Sequence, residues 1–116
     1  MQAIRQLLEN LVKLSMDQED VMQDMQRIDV NTPLYTSLVR DQFKLKDDAR
    51  LIEDSLMALS RRVFQLESFI TKELTEINRN MGDALDQLAD RKPAPAATNQ
   101  QYIMTSVNNL ALMLDE

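Results

Sequence analysis

Gly82 is the only glycine in this chain of 116 residues, and that scarcity limits the folds open to it. Tight β-hairpins and phosphate-binding loops rely on glycine for backbone conformations that other residues adopt only at a cost. The chain is rich instead in Leu, Met, Gln, Asp and Arg, most of which favour helices. Its length allows one domain at most. We therefore predict an all-α fold, an antiparallel bundle of three to four long amphipathic helices with coiled-coil-like packing.

The first predicted helix covers residues 2 to about 29 and carries a heptad pattern. Seven of the eight positions on its two seam rows are apolar, which indicates a helix with one buried stripe. We interpret Gln18, the eighth, as a polar residue tolerated near a solvated edge; the alternative is a role in setting the packing register. The predicted seam residues here are Ile4, Leu7, Leu11, Leu14, Val21, Met25 and Ile28.

A break follows at residues 29–33, where Thr32 is a candidate N-cap and Pro33 suits the first helical position. So short a link predicts that the next helix returns antiparallel to the first. A second stripe predicts a helix over residues 33–91, which would be about 85 Å long if continuous. The alternative is a break near residues 44–48, with Asp47 capping a restarted helix. Its predicted seam residues are Leu38, Leu45, Ile52, Leu56, Leu59, Val63, Leu66, Ile70 and Ile77.

Residues 91–97 contain two alternating prolines, and we predict an extended linker there that ends a helical hairpin or bundle over residues 1–90. Thr98 and Gln101 resemble a capping box, which predicts a last helix over residues 98–116. The predicted seam residues of this helix are Ile103, Val107 and Leu110.

Two further features of the last predicted helix concern its packing and its end. Asn108 adjoins the apolar stripe and is a candidate for a polar contact between helices, the alternative being that it reaches solvent. No C-cap signal precedes Glu116, and acidic residues are unfavourable at a helix C-terminus. We therefore expect the helix to be truncated and the chain to be a fragment of a longer protein.

The residue types present restrict the chemistry of the chain. It contains no histidine and no cysteine, which removes imidazole bases, thiol nucleophiles and the common zinc ligands. Its acidic pairs are adjacent in sequence, and adjacent helical side chains diverge too far to chelate together. We expect no catalytic residue, no cofactor and no metal, and hence no enzyme.

Charge and hydropathy restrict the partners. The net charge of −6 argues against nucleic acid, whose phosphates require a basic surface. No apolar run approaches the length of a membrane span, so we expect no membrane contact by this segment. Other protein helices remain as the expected partners, with self-association as an alternative.

Several short stretches carry a resemblance to a known family. A segment of large coiled-coil-rich proteins of Bacteroidetes resembles residues 68–70 (Ser-Phe-Ile), 73–74 (Glu-Leu), 77–78 (Ile-Asn), 100–105 (Gln-Gln-Tyr-Ile-Met-Thr) and 108–112 (Asn-Asn-Leu-Ala-Leu). That family is of unknown function and combines N-terminal membrane helices with a long helical region outside the cytoplasm. The resemblance implies an internal helical domain of a bacterial, membrane-anchored envelope protein, and so a periplasmic or envelope location. Without it, the expected location is cytoplasmic.

The expected function is that of a non-catalytic structural or protein-interaction helical module, which presents a helix face to neighbouring helices. The alternative is a small acidic helical adaptor or chaperone that binds a partner's amphipathic helix in a groove.

Overall fold

Four long helices pack side by side in the computed structural model, which describes residues 2–115. They are α1 (Gln2–Arg27), α2 (Pro33–Arg62), α3 (Glu67–Ala89) and α4 (Pro93–Asp115), with one 3₁₀ turn (Phe64–Leu66) between α2 and α3. Each helix packs against two others in the circular order α1, α2, α3, α4, and neighbouring helices run antiparallel. The bundle measures 47 × 23 × 19 Å. The predicted all-α antiparallel fold class is confirmed.

The apolar stripes of the four helices face inward and form one core. Each large aliphatic side chain that is fully buried there contributes roughly 1.5–3 kcal/mol relative to an exposed position. Ile4, Ile28 and Leu66, which lie towards the ends of the bundle, are only partly buried. The buried seam residues are Leu7, Leu11, Leu14, Val21, Met25, Leu38, Leu45, Ile52, Leu56, Leu59, Ile70, Ile77, Ile103, Val107 and Leu110.

The turn between α1 and α2 is organised by Asp29. Its side chain accepts a hydrogen bond from the backbone N–H of Asn31 at 2.9 Å, and its carbonyl accepts one from the Thr32 hydroxyl at 2.8 Å. Thr32 occupies the predicted N-cap position, but its side chain makes no capping bond. Pro33 is the first residue of α2, as predicted, because an N–H at that position has no intrahelical acceptor.

The boundary between α2 and α3 corrects the prediction of one helix over residues 33–91. The alternative break near residues 44–48, with Asp47 as a cap, is also wrong, because Leu45 and Ala49 keep the stripe of α2 buried through that stretch. The break lies at Val63, whose φ of −123° and ψ of 85° are not helical. Val63 is 37% exposed and so lies outside the seam predicted for it. Breaking there lets α3 fold back along α2 and bury its own stripe.

Helix α3 ends in a tight turn built on Arg91, which has a φ of 58°, the only positive φ among the described non-glycine residues. The Arg91 N–H donates to the Leu88 carbonyl at 3.0 Å and the Lys92 N–H to the Gln87 carbonyl at 2.9 Å. This Schellman pattern usually takes glycine, since the left-handed conformation costs other residues about 1–2 kcal/mol. The Arg91 guanidinium donates to the Val30 carbonyl in the α1–α2 turn, a bond between the two turns that glycine could not make.

Helix α4 begins at Pro93, so the extended linker predicted over residues 91–97 and the helix start predicted at residue 98 are wrong. Pro93 and Pro95 both fall in the first turn, where backbone N–H groups lack intrahelical acceptors and proline costs little. Thr98 and Gln101, predicted as a capping box, lie inside the helix. Glu116, and with it the predicted truncation of the helix, lies outside the described residues.

Candidate functional site

Three glutamines meet inside the bundle and interrupt its apolar core. Gln18 comes from α1, Gln42 from α2 and Gln100 from α4, and each is 0% exposed. Met81 of α3 lies against Gln42, so all four helices contribute a side chain at this level. We refer to Gln18, Gln42 and Gln100 as the glutamine layer.

Gln42 is the centre of the hydrogen bonding in the glutamine layer. Gln18 and Gln42 exchange amide hydrogen bonds, with Nε2 to Oε1 distances of 2.8 Å and 2.7 Å. The Oε1 atom of Gln42 also accepts from Nε2 of Gln100 at 3.0 Å. The Nε2 atom of Gln42 further approaches the Met81 sulfur at 3.4 Å, which is a weak acceptor. Removing the Gln42 amide would therefore leave two other buried amides without their partner.

One polar atom of the glutamine layer has no partner. The Oε1 atom of Gln100 is buried and accepts no hydrogen bond. An unsatisfied buried acceptor costs about 1–3 kcal/mol, so a wholly apolar level at this point could be more stable. The amide hydrogen bonds are directional and are made only when α1, α2 and α4 are aligned as observed, so we interpret the layer as specifying this alignment.

The burial of Gln18 corrects its interpretation as a residue near a solvated edge and favours the alternative of a register-setting role. A sequence signal for the pairing existed. Gln18 and Gln42 each interrupt an apolar stripe, and they lie 24 residues apart with the α1–α2 turn midway between them. An antiparallel return through so short a turn places two such residues opposite each other.

A second polar contact joins α3 to α4 around Glu73, a carboxylate that is buried. Its two oxygens accept from the Ser106 hydroxyl at 3.4 Å and from Nδ2 of Asn109 at 2.9 Å. The polar contact between helices predicted for Asn108 is therefore made by the next residue, and Asn108 itself is exposed. Successive side chains in a helix are rotated by about 100°, so Asn109 faces Glu73 while Asn108 faces solvent.

Near the loops that join α1 to α2 and α3 to α4, hydrogen bonds to backbone carbonyls hold the helices together. The Tyr35 hydroxyl donates to the Leu88 carbonyl at 2.6 Å, and Nε2 of Gln26 donates to the Pro93 carbonyl at 3.2 Å. Burial of its phenol raises the pKa of Tyr35, and the nearby charge of Arg91 partly opposes that rise. No such side-chain bond is found at the Val63–Leu66 corner within residues 2–115.

Several large apolar side chains are exposed on the outer surface of the bundle. All three phenylalanines, Phe43, Phe64 and Phe69, lie outside the core, and Phe64 is 78% exposed at the α2–α3 corner. On α1, Val12 and Met16 are likewise exposed. Single exposed apolar residues are ordinary on protein surfaces, so only those grouped with suitable charges suggest a binding face.

Ion pairs contribute little to holding these helices together. The pairs in the described residues are Lys13–Asp17, Lys44–Asp48 and Arg79–Glu76, and each lies within one helix at the surface. Exposed pairs of this kind add little to stability, because water and salt screen both charges. The hydrogen bond from Lys13 to Asp17, together with the charge of Asp17, raises the pKa of Lys13.

Within residues 2–115, no group of three or more Asp and Glu side chains converges so as to hold a metal ion. None of the helices in this part of the chain is both long enough and apolar enough to span a bilayer.

No protein-family profile, curated protein or solved structure matches this chain.

Proposed function

We propose that this chain is a non-catalytic helical module of a longer protein, which holds its helices in one fixed alignment and presents their outer faces to other protein helices. In this role the bundle acts as a rigid unit that positions its helix faces for contact with other protein helices.

The observation that carries the proposal is the glutamine layer. A core that needed only stability would not require three buried amides with one unsatisfied oxygen. A core that must hold α1, α2 and α4 in a single register gains from such a layer, because a shift of one of these helices along another separates the amides. The hydrogen bond from the Arg91 guanidinium to the Val30 carbonyl supports the same role. Arg91 adopts an unfavourable left-handed backbone conformation, and its side chain joins the α3–α4 turn to the α1–α2 turn.

The placement of the module within a larger protein is part of the proposal. The resemblance to membrane-anchored Bacteroidetes envelope proteins suggests an internal segment of such a protein, with anchoring supplied by other parts of it. A reading frame that continues past Glu116 would support this placement, and a stop codon at that point would count against it.

Light scattering combined with far-ultraviolet circular dichroism tests the module itself. We expect a highly helical species of 13.4 kDa across about a hundredfold range of concentration, because the four apolar stripes satisfy one another within one chain. A stable dimer would overturn this part of the proposal, since it would mean that helices pair between chains and that self-association is the leading role.

The second candidate function is a small acidic adaptor that binds a partner's helix. The observation in its favour is the group of exposed apolar side chains on α1, which lies beside several aspartates.

A further inference from the structure

A second apolar stripe runs along α1 from the edge of the core, where Leu8 packs, onto the exposed face of the helix. Leu8, Val12 and Met16 follow one another at intervals of four residues and so share one face of the helix. Leu8 is partly buried, whereas Val12 is 44% and Met16 63% exposed. We call Leu8, Val12 and Met16 the α1 stripe. It spans roughly 12 Å along the helix, which is about two turns.

Acidic side chains border the α1 stripe. Glu9, Asp17 and Asp20 line the same shallow depression as the stripe. Lys13 lies there too, but it is paired with Asp17 at 2.6 Å, so its charge is already compensated.

The same acidic border continues into the groove between α1 and α2. Asp17 and Asp20 line this groove together with Asp24, Asp41 and Lys44, and Lys44 is paired with Asp48 at 3.0 Å. No lysine or arginine of the described residues lies within 4.0 Å of the Asp20, Asp24 or Asp41 carboxylates. An apolar face beside aspartates that lack an ion-pair partner is complementary to an apolar face bordered by cations.

We propose that the α1 stripe is the docking site for a cationic amphipathic helix of another protein. Its apolar face packs on Leu8, Val12 and Met16, and its lysines or arginines pair with Asp20 and the aspartates of the α1–α2 groove. This rests on the interaction role proposed above and names the partner's chemistry. A second copy of the chain fits less well, because a symmetric contact would place the same acidic border against itself in a chain of net charge −6.

Fluorescence anisotropy with a labelled leucine–lysine helical peptide of about 14 residues, roughly 21 Å long, tests the docking site. A leucine–glutamate peptide of the same length and apolar face is the matched control. We expect the cationic peptide to bind one-to-one with an affinity that falls as salt rises, and the acidic peptide not to bind. Equal binding of both peptides, or binding of neither, would overturn the proposal.

Variants locate the binding face. The double substitution Val12→Gln and Met16→Gln should weaken binding of the cationic peptide by roughly tenfold or more, because it removes apolar contact area and keeps good helix formers. The matched control is Phe69→Gln with Leu112→Gln, which removes two exposed apolar side chains on α3 and α4 and should leave the affinity unchanged.

Charge variants separate specific docking from general attraction to an acidic protein. Asp20→Asn with Asp24→Asn should weaken binding several-fold and reduce its salt dependence, while Asp54→Asn with Asp83→Asn, on α2 and α3, should do neither. If both pairs weaken binding equally, the peptide responds to net charge alone and the proposed site is wrong. A chain that stays monomeric and helical but binds no peptide would lose this site while keeping the proposed role as a rigid module.

Discussion

The glutamine layer and the apolar levels on either side of it are equally dry but act differently. Leu11, Leu56 and Ile70 are fully buried and pack without directional bonds. Gln18 and Gln42 are as deeply buried, yet each requires the other at hydrogen-bonding distance. We interpret the apolar levels as the main source of the free energy of folding, and the layer as the feature that selects one alignment of the helices.

The largest effect is expected from an apolar level. Leu11→Ala should lower the free energy of unfolding by about 2–5 kcal/mol, because it removes a fully buried side chain and leaves a cavity. Urea unfolding followed by circular dichroism measures this loss, and Leu112→Ala, at a site that is 63% exposed, is the control. A loss below about 0.5 kcal/mol would mean that the seam of α1 is not in a dry core.

Replacing the whole glutamine layer with leucine tests whether it contributes alignment or stability. The triple variant Gln18→Leu, Gln42→Leu and Gln100→Leu should be as stable as the parent or more stable by about 1–4 kcal/mol, since no buried amide is left unpaired. We expect its two-dimensional amide NMR spectrum to show broadened or doubled peaks, as expected of a core that has lost its single register. A variant that is destabilised but gives one sharp set of peaks would contradict this prediction, because it would show that the buried amides contribute stability and not alignment.

Single substitutions within the layer should differ by position. Gln42→Leu should cost about 1–3 kcal/mol, because Gln18 and Gln100 both lose their hydrogen-bond partner. Gln100→Leu should cost less, since it removes one hydrogen bond together with the unsatisfied oxygen. Urea unfolding of the two variants side by side measures the difference, and equal losses would show that Gln42 is not the centre of the layer.

Tyr35→Phe tests a buried polar contact outside the layer and has the smallest expected effect. Losing the bond to the Leu88 carbonyl should cost about 0.5–1.5 kcal/mol near neutral pH. Because the pKa of Tyr35 is raised in the fold, its contribution is fully present below the ordinary tyrosine value of about 10 and is lost as pH rises further. The stability difference between parent and Tyr35→Phe, followed by urea unfolding, should therefore shrink above that pH. A constant difference would show that this phenol is not desolvated.

Several features could be predicted because they depend on local rules. The heptad pattern of α1 predicts a helix and its buried face, since side-chain periodicity alone decides which residues share a stripe. Pro33 begins α2 for an equally local reason. The break at Val63 could not be read in the same way, because no glycine or proline lies near it. It depends instead on the packing of α3 back against α2.

The start of α4 shows how a local rule can mislead. Two alternating prolines predict an extended linker when α4 is assumed to begin after them. In the structure they lie in the first turn of α4, where proline is tolerated. The start of α4 depends on the turn at Arg91, where the backbone is left-handed. Glycine usually marks such a turn in a sequence, and here the residue is arginine. Asn109 was missed in favour of Asn108 because the rotation of α4 against Glu73 is a property of two helices together.

Residue type and spacing along each helix are enough to predict that this protein is helical and which faces of its helices are apolar. Composition alone gives its net negative charge. The tertiary structure alone decided where the long second stripe divides, that Gln18 is buried against Gln42 and Gln100, and which asparagine meets Glu73. The physical reason is that polar pairing in a core depends on the relative shift and rotation of separate helices. Those are settled by the packing of all four together and are not encoded in the periodicity of any one of them.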